Sequence, residues 1–430
     1  MEKKYVVVIS LDAVSSKDVE IIKKLPNISK LIKEGALIEK VDSVYPSLTY
    51  PAHVSIMTGK YPVNHGITNN TVLDFKDENP NWNWYGNKIK GETLFSLAKE
   101  KGLKTASILW PVTGKMKIDY NMPEIFETKP YHNQIIMSAL AGSKLYQLNM
   151  NKKFASLRRG TKEPYLDNFA TACAKETIKL YKPNLIMIHL IDVDSQRHDH
   201  GYGSKEALEA LKRHDIRVLE IIETLKEANI YEDTTLILLG DHSAIDTDKL
   251  IRLNSAFREE GLLSLCNNKV KEIKAISKEC GGSCYVYLRD KEIETRKICL
   301  SILEDLKNTG VIEKILTKEE AIAEGANDEC DFLIEAKRGY YFTNGYYGKV
   351  VEETKNLEKN SHIYKAVHGY SPKKEDYETF FLAFGRGVKK GVVLEHGKLI
   401  NHGPTIGKFL GLDFKNIDGE IEKDIFCDNF

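Results

Sequence analysis

Acidic residues and a histidine follow three apolar segments of the sequence, at the points where the segments end. Asp12 follows VVVISL, Asp192 and Asp194 follow LIMIHLI, and Asp241 and His242 follow LILLG. Continuous apolar runs are typical of buried strands in a parallel sheet, whose carboxyl ends meet at the edge where ligands bind. A single aspartate at such a position is most often a turn or a helix cap. Several carboxylates at one edge would repel each other unless a cation lies among them, so the pattern predicts a metal site.

Three histidines add a second type of ligand to this prediction. His198 follows Asp194 by four residues, a spacing that turns both side chains towards one point, and His242 directly follows Asp241. His368 precedes a glycine in AVHGYSP. Carboxylate and imidazole together suit Zn²⁺ and related first-row metals better than Ca²⁺ or Mg²⁺. One histidine alone is more often a hydrogen-bonded core residue, but the whole set favours a metal centre.

A threonine marks a predicted helix start in YPSLTYPAHVSIMTG. Thr49 comes just before this helix or begins it, Pro51 would lie in the first turn, and Gly59 would end it. Thr49 could simply cap the helix, or it could be a nucleophile held at the positive end of the helix.

The wider pattern alternates strands with helices. Apolar runs predict strands at 4–12, 104–110, 184–192, 234–242 and 377–385, and helical patterns fall at 92–101, 165–180, 205–228 and 403–412. This alternation predicts an α/β fold with a mostly parallel sheet sandwiched by helices. Residues 71–91 predict a long surface loop. We predict a single catalytic domain over 1–430, with a core at 1–245 and 362–430 and an α+β cap inserted over roughly 246–361.

The composition argues against several classes of partner. Lys and Arg together number 62, as do Asp and Glu, so no net charge draws the chain to nucleic acid or to an anionic membrane, although a local basic pocket stays open. No apolar stretch approaches the length of a membrane span, and the first apolar run is too short for a signal peptide. Seven scattered cysteines favour buried free thiols. We expect a cytoplasmic protein with a small-molecule substrate and neither a nucleic-acid polymer nor a membrane as partner.

These residues belong to longer motifs. The segments ISLDAV, YPSLTYPAHVSIMTGKYPVNHGI, DVDSQRHDHGYG, LGDHSAID and AVHGYSP resemble, in this order, the nucleotide pyrophosphatase/phosphodiesterase family of the alkaline phosphatase superfamily. The resemblance implies an alkaline-phosphatase-like α/β core. It also implies hydrolysis of a phosphodiester or pyrophosphate bond in a nucleotide-type substrate through a phosphothreonine intermediate.

The resemblance further implies two zinc ions, for which Mn²⁺ or Fe²⁺ are alternatives. The ligands of the first zinc would be Asp12, Thr49, Asp241 and His242. The ligands of the second would be Asp194, His198 and His368, with Asp192 a weaker alternative to Asp194 because only Asp194 has the family's spacing to His198.

The resemblance also implies how the substrate is held. Thr49 would be the nucleophile, and Asn70, or less favourably Asn69, would contact a phosphoryl oxygen together with the backbone N–H of Tyr50. The ring of Tyr50 would stack on the leaving group or base. Three aromatic residues of the 71–91 loop, Trp82, Trp84 and Tyr85, are equally well explained by base stacking and by covering the core.

Two departures from the family pattern concern the substrate. Gly240 and Ser243 flank the Asp-His pair where the family usually has serine and glycine, and Arg197 precedes His198 where glycine is usual. Neither change removes a ligand. Phosphomonoester or phosphonate hydrolysis on the same metal core therefore stays an alternative, decided by whether Arg197 points into the site. A non-catalytic metal-binding relative is a third hypothesis, which the complete ligand set disfavours.

Overall fold

The computed structural model describes residues 4–75, 77, 80–267, 269–357 and 363–428. The strands in these ranges are, in chain order, β1 (Tyr5–Leu11), β2 (Ala36–Asp42), β3 (Thr105–Ile108), β4 (Tyr120–Met122), β5 (Leu185–Leu190), β6 (Thr234–Leu239), β7 (Ile245–Asp246), β8 (Lys249–Ile251), β9 (Leu263–Cys266), β10 (Lys269–Ile273), β11 (Ala275–Glu279), β12 (Ser283–Leu288), β13 (Ile312–Thr317), β14 (Phe332–Ala336), β15 (Tyr340–Phe342), β16 (Val351–Glu353), β17 (Ala366–Val367), β18 (Thr379–Gly385) and β19 (Val392–Lys398).

The α-helices in the same ranges are α1 (Val19–Ile22), α2 (Ile28–Glu34), α3 (Thr49–Thr58), α4 (Pro62–His65), α5 (Leu94–Glu100), α6 (Gln134–Ala141), α7 (Lys144–Phe154), α8 (Tyr165–Tyr181), α9 (Asp192–His200), α10 (Lys205–Glu227), α11 (Leu253–Glu259), α12 (Ile293–Asn308), α13 (Lys318–Ala323) and α14 (His402–Leu410). None of these helices is long and apolar enough to cross a membrane.

The central sheet orders its strands β19-β2-β18-β6-β1-β5-β3-β4. β18 runs antiparallel to both of its neighbours, and the other adjacent pairs are parallel. β1 lies between β6 and β5, with Leu11 opposite Leu190 and Ser10 opposite Leu239. The three strands that precede the acidic residues are therefore adjacent, and their carboxyl ends are level.

Helices cover both faces of this sheet because its central strands are apolar at every position but one or two. Alternate residues of a strand point to opposite faces. Val6 and Val8 of β1 pack in one hydrophobic cluster with α3, α5 and α14, whereas Val7 and Ile9 pack in another with α2, α8 and α10. The predicted α/β sandwich with a mostly parallel sheet is confirmed.

A smaller antiparallel sheet, ordered β11-β12-β14-β13, lies in the segment predicted as a cap. It packs with α12 and α13 around a third hydrophobic cluster, which also takes in Tyr45 and Leu48 from the loop before α3. The segment thus has mixed α and β character. Its proposed limits stay a prediction, and position 361 lies outside the described residues.

Among its described residues, the 71–91 loop contains one short 3-10 helix, Gly86–Lys88, and two isolated bridges, from Thr71 to Trp82 and from Tyr85 to Gly114. Trp84 is 2% exposed and belongs to the core cluster on the α3 face of the sheet, whereas Trp82 is only partly buried. One tryptophan therefore covers the core, and the other stays open to a ligand. All seven cysteines are free thiols, of which Cys266 and Cys427 are exposed and the other five are buried as expected.

Candidate metal centre and active site

Three adjacent strands deliver the predicted ligands to one edge of the sheet. Asp12 follows β1, and Asp241 and His242 follow β6. Asp194 lies in the first turn of α9, which begins directly after β5. The sequence folds this way because each strand is a buried apolar run that ends where the chain must turn at the edge. The acidic residues therefore meet although they are far apart in sequence.

The side chains of Asp12, Asp241 and His242 form the first cluster, whose ligand atoms all lie within 4.8 Å of one another. His242 Nε2 is 3.4 Å from Asp12 Oδ1 and 3.2 Å from Asp241 Oδ2. Its other nitrogen, Nδ1, donates to the carbonyl oxygen of Ser243 at 3.2 Å. This tautomer leaves the Nε2 lone pair directed at the two carboxylates.

The side chains of Asp194, His198 and His368 form the second cluster, again within 4.8 Å. His198 Nδ1 donates to the carbonyl oxygen of Ala366 at 2.8 Å, and its Nε2 lies 3.4 Å from Asp194 Oδ2. The rings of His368 and His242 stack with centroids 4.0 Å apart, so the two clusters adjoin. The structure thus brings together the six Asp and His residues predicted as ligands, in the two predicted groups.

The unpaired atoms of both clusters are those that a cation would bind. Among the described residues, the buried side-chain atoms without a hydrogen-bond partner include Asp12 Oδ1, Asp241 Oδ2, Asp194 Oδ1 and His368 Nδ1. The second oxygen of Asp241 accepts the backbone N–H groups of Ala13 and His242, at 3.1 and 2.9 Å. Buried polar atoms are rarely left unpaired. Histidine ligands commonly donate their other N–H to a carbonyl, as His198 and His242 do. The donor set therefore fits divalent metal ions.

Electrostatics leads to the same conclusion. Burial, and then the neighbouring charge of Asp194, raises the pKa of Asp12 to about 7. Burial and Asp12 raise the pKa of Asp241 well above its usual value. Burial lowers the pKa of His368 to about 4 and that of His242 far below its usual value, so both imidazoles are neutral at pH 7. A cation between the clusters would relieve the repulsion and suit neutral histidine.

Thr49 is the first residue of α3, and Leu48 rather than Thr49 occupies the N-cap position. Thr49 Oγ1 lies 3.1 Å from His242 Nε2, which places the hydroxyl at the first cluster. His53, one turn later, is fully buried and donates from Nδ1 to the Thr49 carbonyl at 2.7 Å, as expected for a packing residue. Gly59 ends the helix with φ of 67°, a conformation that glycine adopts without strain.

The structure corrects two expectations about Tyr50. Its ring is fully buried in the core, with its edge against Trp82 at a centroid distance of 5.1 Å, and is not open to a substrate. Its backbone N–H donates to Asn70 Oδ1 at 2.9 Å instead of facing an open position. The sequence marks Tyr50 as aromatic and adjacent to Thr49, but the side-chain direction depends on the packing of α3 against the sheet.

Asn70 and Asn69 have different hydrogen-bonding roles in the structure. With its Oδ1 engaged by Tyr50, Asn70 retains the Nδ2 group as a donor, and Asn70 lines the cavity described below. Asn69 uses Nδ2 to bond the carbonyl of Glu279 and the thiol of Cys280, at 2.9 and 3.2 Å. Asn69 therefore ties the loop to the predicted cap, and Asn70 is the one with a donor left over.

Two residues that the motifs did not single out support the first cluster. His189 of β5 bridges Asp12 Oδ2 through Nε2 at 3.0 Å and Glu124 through Nδ1 at 2.9 Å. Burial lowers the pKa of His189, but the hydrogen bonds to Asp12 and Glu124 outweigh it and hold the pKa well above its usual value. The signal in the sequence is a histidine inside the apolar run LIMIHLI. Glu124, in the loop after β4, has no comparable signal.

A cavity of about 380 Å³ opens beside the second cluster. His198, His368 and Asn70 line it together with Glu279 of β11 and residues 343–345 of the loop after β15. Its aromatic lining consists of Trp82, Tyr341, Phe342 and Tyr364. Among the described residues that line it, none is lysine or arginine. Its volume lies in the range of small-molecule sites.

Arg197 points away from this cavity. Its Nη2 donates to Asp18 Oδ1 at 2.6 Å, its Nη1 bonds the Ala13 carbonyl, and its guanidinium lies 3.8 Å from the centre of the Tyr202 ring. The side chain is 2% exposed. Arg197 therefore links α9 to the loop after β1, and it leaves the charge of the cavity unchanged.

Asp192, the weaker alternative to Asp194, belongs to a buried ionic network behind α9. Arg213 donates to both of its oxygens, at 2.7 and 2.8 Å, and Arg217 donates at 2.9 Å. Asp167 accepts the backbone N–H groups of Ile191 and Asp192, at 3.0 and 3.1 Å. The network fixes the first turn of α9, on which Asp194 lies.

Comparisons with known proteins identify the family to which the sequence is similar. A family model described as type I phosphodiesterase / nucleotide pyrophosphatase matches residues 6–371. Human ectonucleotide pyrophosphatase/phosphodiesterase family member 1 is 31% identical over 227 residues, which cover 51% of this chain and 21% of that protein. Venom phosphodiesterase 2 of Crotalus adamanteus is 29% identical over 238 residues, covering 53% of this chain and 25% of that protein. The matches thus span a quarter or less of these relatives' own length.

Solved structures extend the likeness of the fold over the whole chain. Murine ectonucleotide pyrophosphatase/phosphodiesterase 5 superposes with a TM-score of 0.69 at 18% identity, covering 99% of this chain and 100% of that one. The human protein of the same name superposes with a TM-score of 0.69 at 17% identity, covering 98% and 100%. At these identities the likeness establishes the fold alone. Since the family model matches most of the chain, the protein belongs to the type I phosphodiesterase/nucleotide pyrophosphatase family.

Proposed function

We propose that this protein hydrolyses phosphodiester or pyrophosphate bonds of small nucleotide-type substrates, with Thr49 as the nucleophile. The observation that carries the proposal is the position of the Thr49 hydroxyl, 3.1 Å from His242 at the start of α3 and beside two groups of unpaired carboxylate and imidazole atoms. A plain helix cap explains neither the position of the hydroxyl nor the unpaired atoms.

We propose zinc as the metal, with Mn²⁺ or Fe²⁺ as alternatives. One ion would be held by Asp12, Thr49, Asp241 and His242, and the other by Asp194, His198 and His368. Bound divalent ions of this kind stabilise negative charge on the attacking, leaving and non-bridging oxygens of a phosphoryl transfer.

The chain's own residues would carry the reaction in two displacements. Thr49 Oγ1 gives up its proton to solvent and forms a bond to phosphorus while the bond to the leaving oxygen breaks. The leaving group takes up a proton and departs, and a phosphothreonine ester remains. The N-terminus of α3 stabilises the attacking oxygen by about 1 kcal/mol. Asn70, its Oδ1 fixed by the Tyr50 N–H, would donate from Nδ2 to a non-bridging oxygen. Water then displaces Thr49 and restores its hydroxyl.

Two features favour a diester over a monoester. A phosphomonoester carries a second negative charge, which phosphatases commonly balance with cationic side chains. Among the described residues that line the cavity, lysine and arginine are missing, and Arg197 is paired with Asp18 instead. The partly exposed rings of Trp82 and Tyr364 provide surfaces on which a base can stack.

A nucleoside monophosphate group is the first ligand to try. An inactive variant of murine ectonucleotide pyrophosphatase/phosphodiesterase 5 was solved in complex with AMP. For this chain, the partly exposed rings of Trp82 and Tyr364 and the adjoining histidines fit such a group, with the base against the rings and the phosphate beside His198 and His368.

The test compares initial hydrolysis rates of bis(4-nitrophenyl) phosphate and 4-nitrophenyl phosphate by the zinc-loaded protein. We expect a preference for the diester. Thr49→Ala should reduce the diester rate by roughly 10³-fold or more, as is common when a nucleophile is removed. Thr49→Ser should retain measurable hydrolysis, and Thr58→Ala, the same kind of change later in α3, should leave the rate within about twofold.

The other outcomes identify the alternatives. A preference for the monoester would assign a phosphomonoesterase, and turnover of a phosphonate alone would assign a phosphonate hydrolase. Equal rates for wild type and Thr49→Ala would exclude Thr49 as the nucleophile. Metal binding without turnover of any of these substrates would indicate a non-catalytic relative.

A further inference from the structure

Exposed apolar side chains are concentrated on one part of the surface. We call residues 129–162, which comprise α6, α7 and their flanking loops, the α6–α7 surface. Of the fifteen large hydrophobic side chains that are exposed among the described residues, seven lie on it: Tyr131, Ile135, Ile136, Leu140, Leu145, Leu148 and Leu157. Single exposed apolar side chains are ordinary, but a contiguous group marks an interaction surface.

These side chains form one surface rather than isolated points. Ile136 and Leu140 are four residues apart on α6, and Leu145 and Leu148 are three apart on α7, so each pair lies on one side of its helix. Ile135 and Leu148 line a common apolar cavity together with Phe126. The two helices therefore present their apolar residues side by side.

The charge of the α6–α7 surface is of one sign. Residues 129–162 contain seven basic residues and no Asp or Glu, although Asp and Glu make up 62 of the 430 residues of the chain. The basic residues are Lys129, Lys144, Lys152, Lys153, Arg158, Arg159 and Lys162. The overall charge of zero conceals this segregation, so the expectation of no membrane partner, which rests on that sum, does not extend to this surface.

Part of this charge is free to meet a partner. Lys153 pairs with Glu176 of α8, and the guanidinium groups of Arg158 and Arg159 lie over Phe169 and Tyr165. In the part of the chain that the structure describes, Lys144, Lys152 and Lys162 take part in no ion pair. All three are exposed.

Exposed aliphatic side chains together with unopposed cationic groups distinguish a membrane from the other possible partners of this surface. Surfaces that lie on membranes combine apolar residues, which enter the boundary between headgroups and acyl chains, with lysines and arginines that contact anionic headgroups. A nucleic acid would use the cationic groups but would leave Ile136, Leu140 and Leu145 in water. A second copy bound through the same surface would place basic groups opposite basic groups, with no acid to offset them.

We propose that the α6–α7 surface docks peripherally on anionic phospholipid bilayers. The exposed side chains of α6 and α7 enter the headgroup region, and Lys144, Lys152 and Lys162 contact lipid phosphates. The docking goes beyond the hydrolytic function proposed above and does not depend on it, since neither Thr49 nor the metal ligands belong to this surface.

Sedimentation with phospholipid vesicles tests the proposal. The 430-residue chain is mixed with vesicles of phosphatidylcholine containing about one third phosphatidylglycerol, or of phosphatidylcholine alone, which sets the surface charge. We expect binding to the anionic vesicles at least tenfold tighter than to the neutral ones. Added salt should weaken this binding, because salt screens the contribution of the lysines.

Substitutions separate the apolar contribution to vesicle binding from the electrostatic contribution. Leu145 is 78% exposed, so Leu145→Glu should leave the fold intact, and it should weaken vesicle binding by roughly tenfold or more. Lys152→Glu should weaken it by roughly fivefold or more. Ile293→Glu, at a position 76% exposed on α12, is the matched control and should bind like wild type. Circular dichroism and hydrolysis of a soluble diester check that each variant is folded.

Five outcomes would overturn the proposal. The first three are equal sedimentation with and without anionic vesicles, binding that Leu145→Glu leaves unchanged, and equal loss in Ile293→Glu. The fourth is retention by a DNA duplex at the affinity found for vesicles, with Leu145→Glu unaffected, which would assign a nucleic-acid surface instead. A concentration-dependent dimer that Leu145→Glu dissociates, without vesicle binding, would likewise reject the membrane in favour of a second copy.

Discussion

The carboxylates at the edge of the sheet share one arrangement. Asp12 and Asp241 each have one oxygen fixed by hydrogen bonds, from His189 in the first case and from backbone N–H groups in the second. The other oxygen of each is buried and unpaired. An arrangement of this kind orients a metal ligand and leaves its lone pair available, at the cost of strong repulsion when no cation is present.

The support that His189 gives to Asp12 can be tested by substitution. His189→Leu removes the bridge between Asp12 and Glu124, and we expect it to weaken metal binding at the first cluster by roughly 10- to 100-fold, because Asp12 is no longer oriented. Competition with a chelating dye measures the affinity. His189→Gln restores one donor and should recover part of the loss, whereas exposed His396→Gln should change nothing. An unchanged affinity in His189→Leu would contradict this role.

Much of the site could be predicted from the sequence because ligand positions follow from strand ends. Asp12, Asp194 and Asp241 can be recognised in the sequence because each lies at or just after the end of an apolar run. The direction of a side chain is a different matter, since it depends on neighbours that are distant in sequence. The burial of Tyr50, the pairing of Arg197 with Asp18 and the bridge from His189 to Glu124 all join residues from separate elements.

At the scale of elements, α9 has to be held in place because it carries Asp194 and His198. Its first turn is fixed by Asp167 of α8, which accepts the N–H groups of Ile191 and Asp192. Arg217 of α10 bonds both Asp167 and Asp192, at 3.2 and 2.9 Å. Two helices on one face of the sheet thus position the ligands of the second cluster.

This positioning predicts a selective loss of one metal. Asp167→Asn weakens the acceptor for both N–H groups and removes a negative charge that compensates the positive charge of Arg217. We therefore expect α9 to shift. We expect roughly tenfold weaker binding at the second cluster, whereas the first cluster keeps its affinity. Stepwise titration of the metal-free protein with zinc, followed by calorimetry, resolves the two sites. Lys212→Ala on the exposed side of α10 is the control. Equal weakening at both clusters would indicate a general loss of stability instead.

The elements themselves were predicted where periodicity is strong. The apolar strands and the long helices α8 and α10 agree with the predicted ranges within three residues at each end, because buried strands and amphipathic helices have distinct periods. The strand order could not be predicted from the sequence, since the antiparallel insertion of β18 between β2 and β6 depends on contacts between residues that are hundreds of positions apart. The exact limits of the inserted segment and the expected cytoplasmic location stay predictions.

For the molecule as a whole, buried neutral histidines should make the fold sensitive to acid. Burial alone lowers the pKa of His402 to about 3, and its ring packs against Phe381. The unfolded chain, with a histidine pKa of about 6.5, binds the proton first, so stability is full above that value and falls as the pH drops towards 3. Between pH 7.5 and 5.5 this histidine should account for a loss of about 1 kcal/mol.

Urea unfolding at the two pH values measures this effect. His402→Phe keeps a ring against Phe381 and removes the titrating group, so its unfolding free energy should fall about 1 kcal/mol less than that of wild type over this range. Substitution of the exposed His396 by Phe should leave the pH dependence as in wild type. The same pH dependence in His402→Phe and wild type would show that His402 does not contribute.

The most direct measurement of the central claim is the stereochemical course at phosphorus. The zinc-loaded protein would hydrolyse a P-chiral nitrophenyl phosphorothioate diester in ¹⁸O-labelled water, and the configuration of the product would be determined by phosphorus NMR. Attack by Thr49 followed by attack of water is a double displacement, so we predict retention of configuration. Inversion would mean that water attacks phosphorus directly, and it would contradict the assignment of Thr49 as the nucleophile.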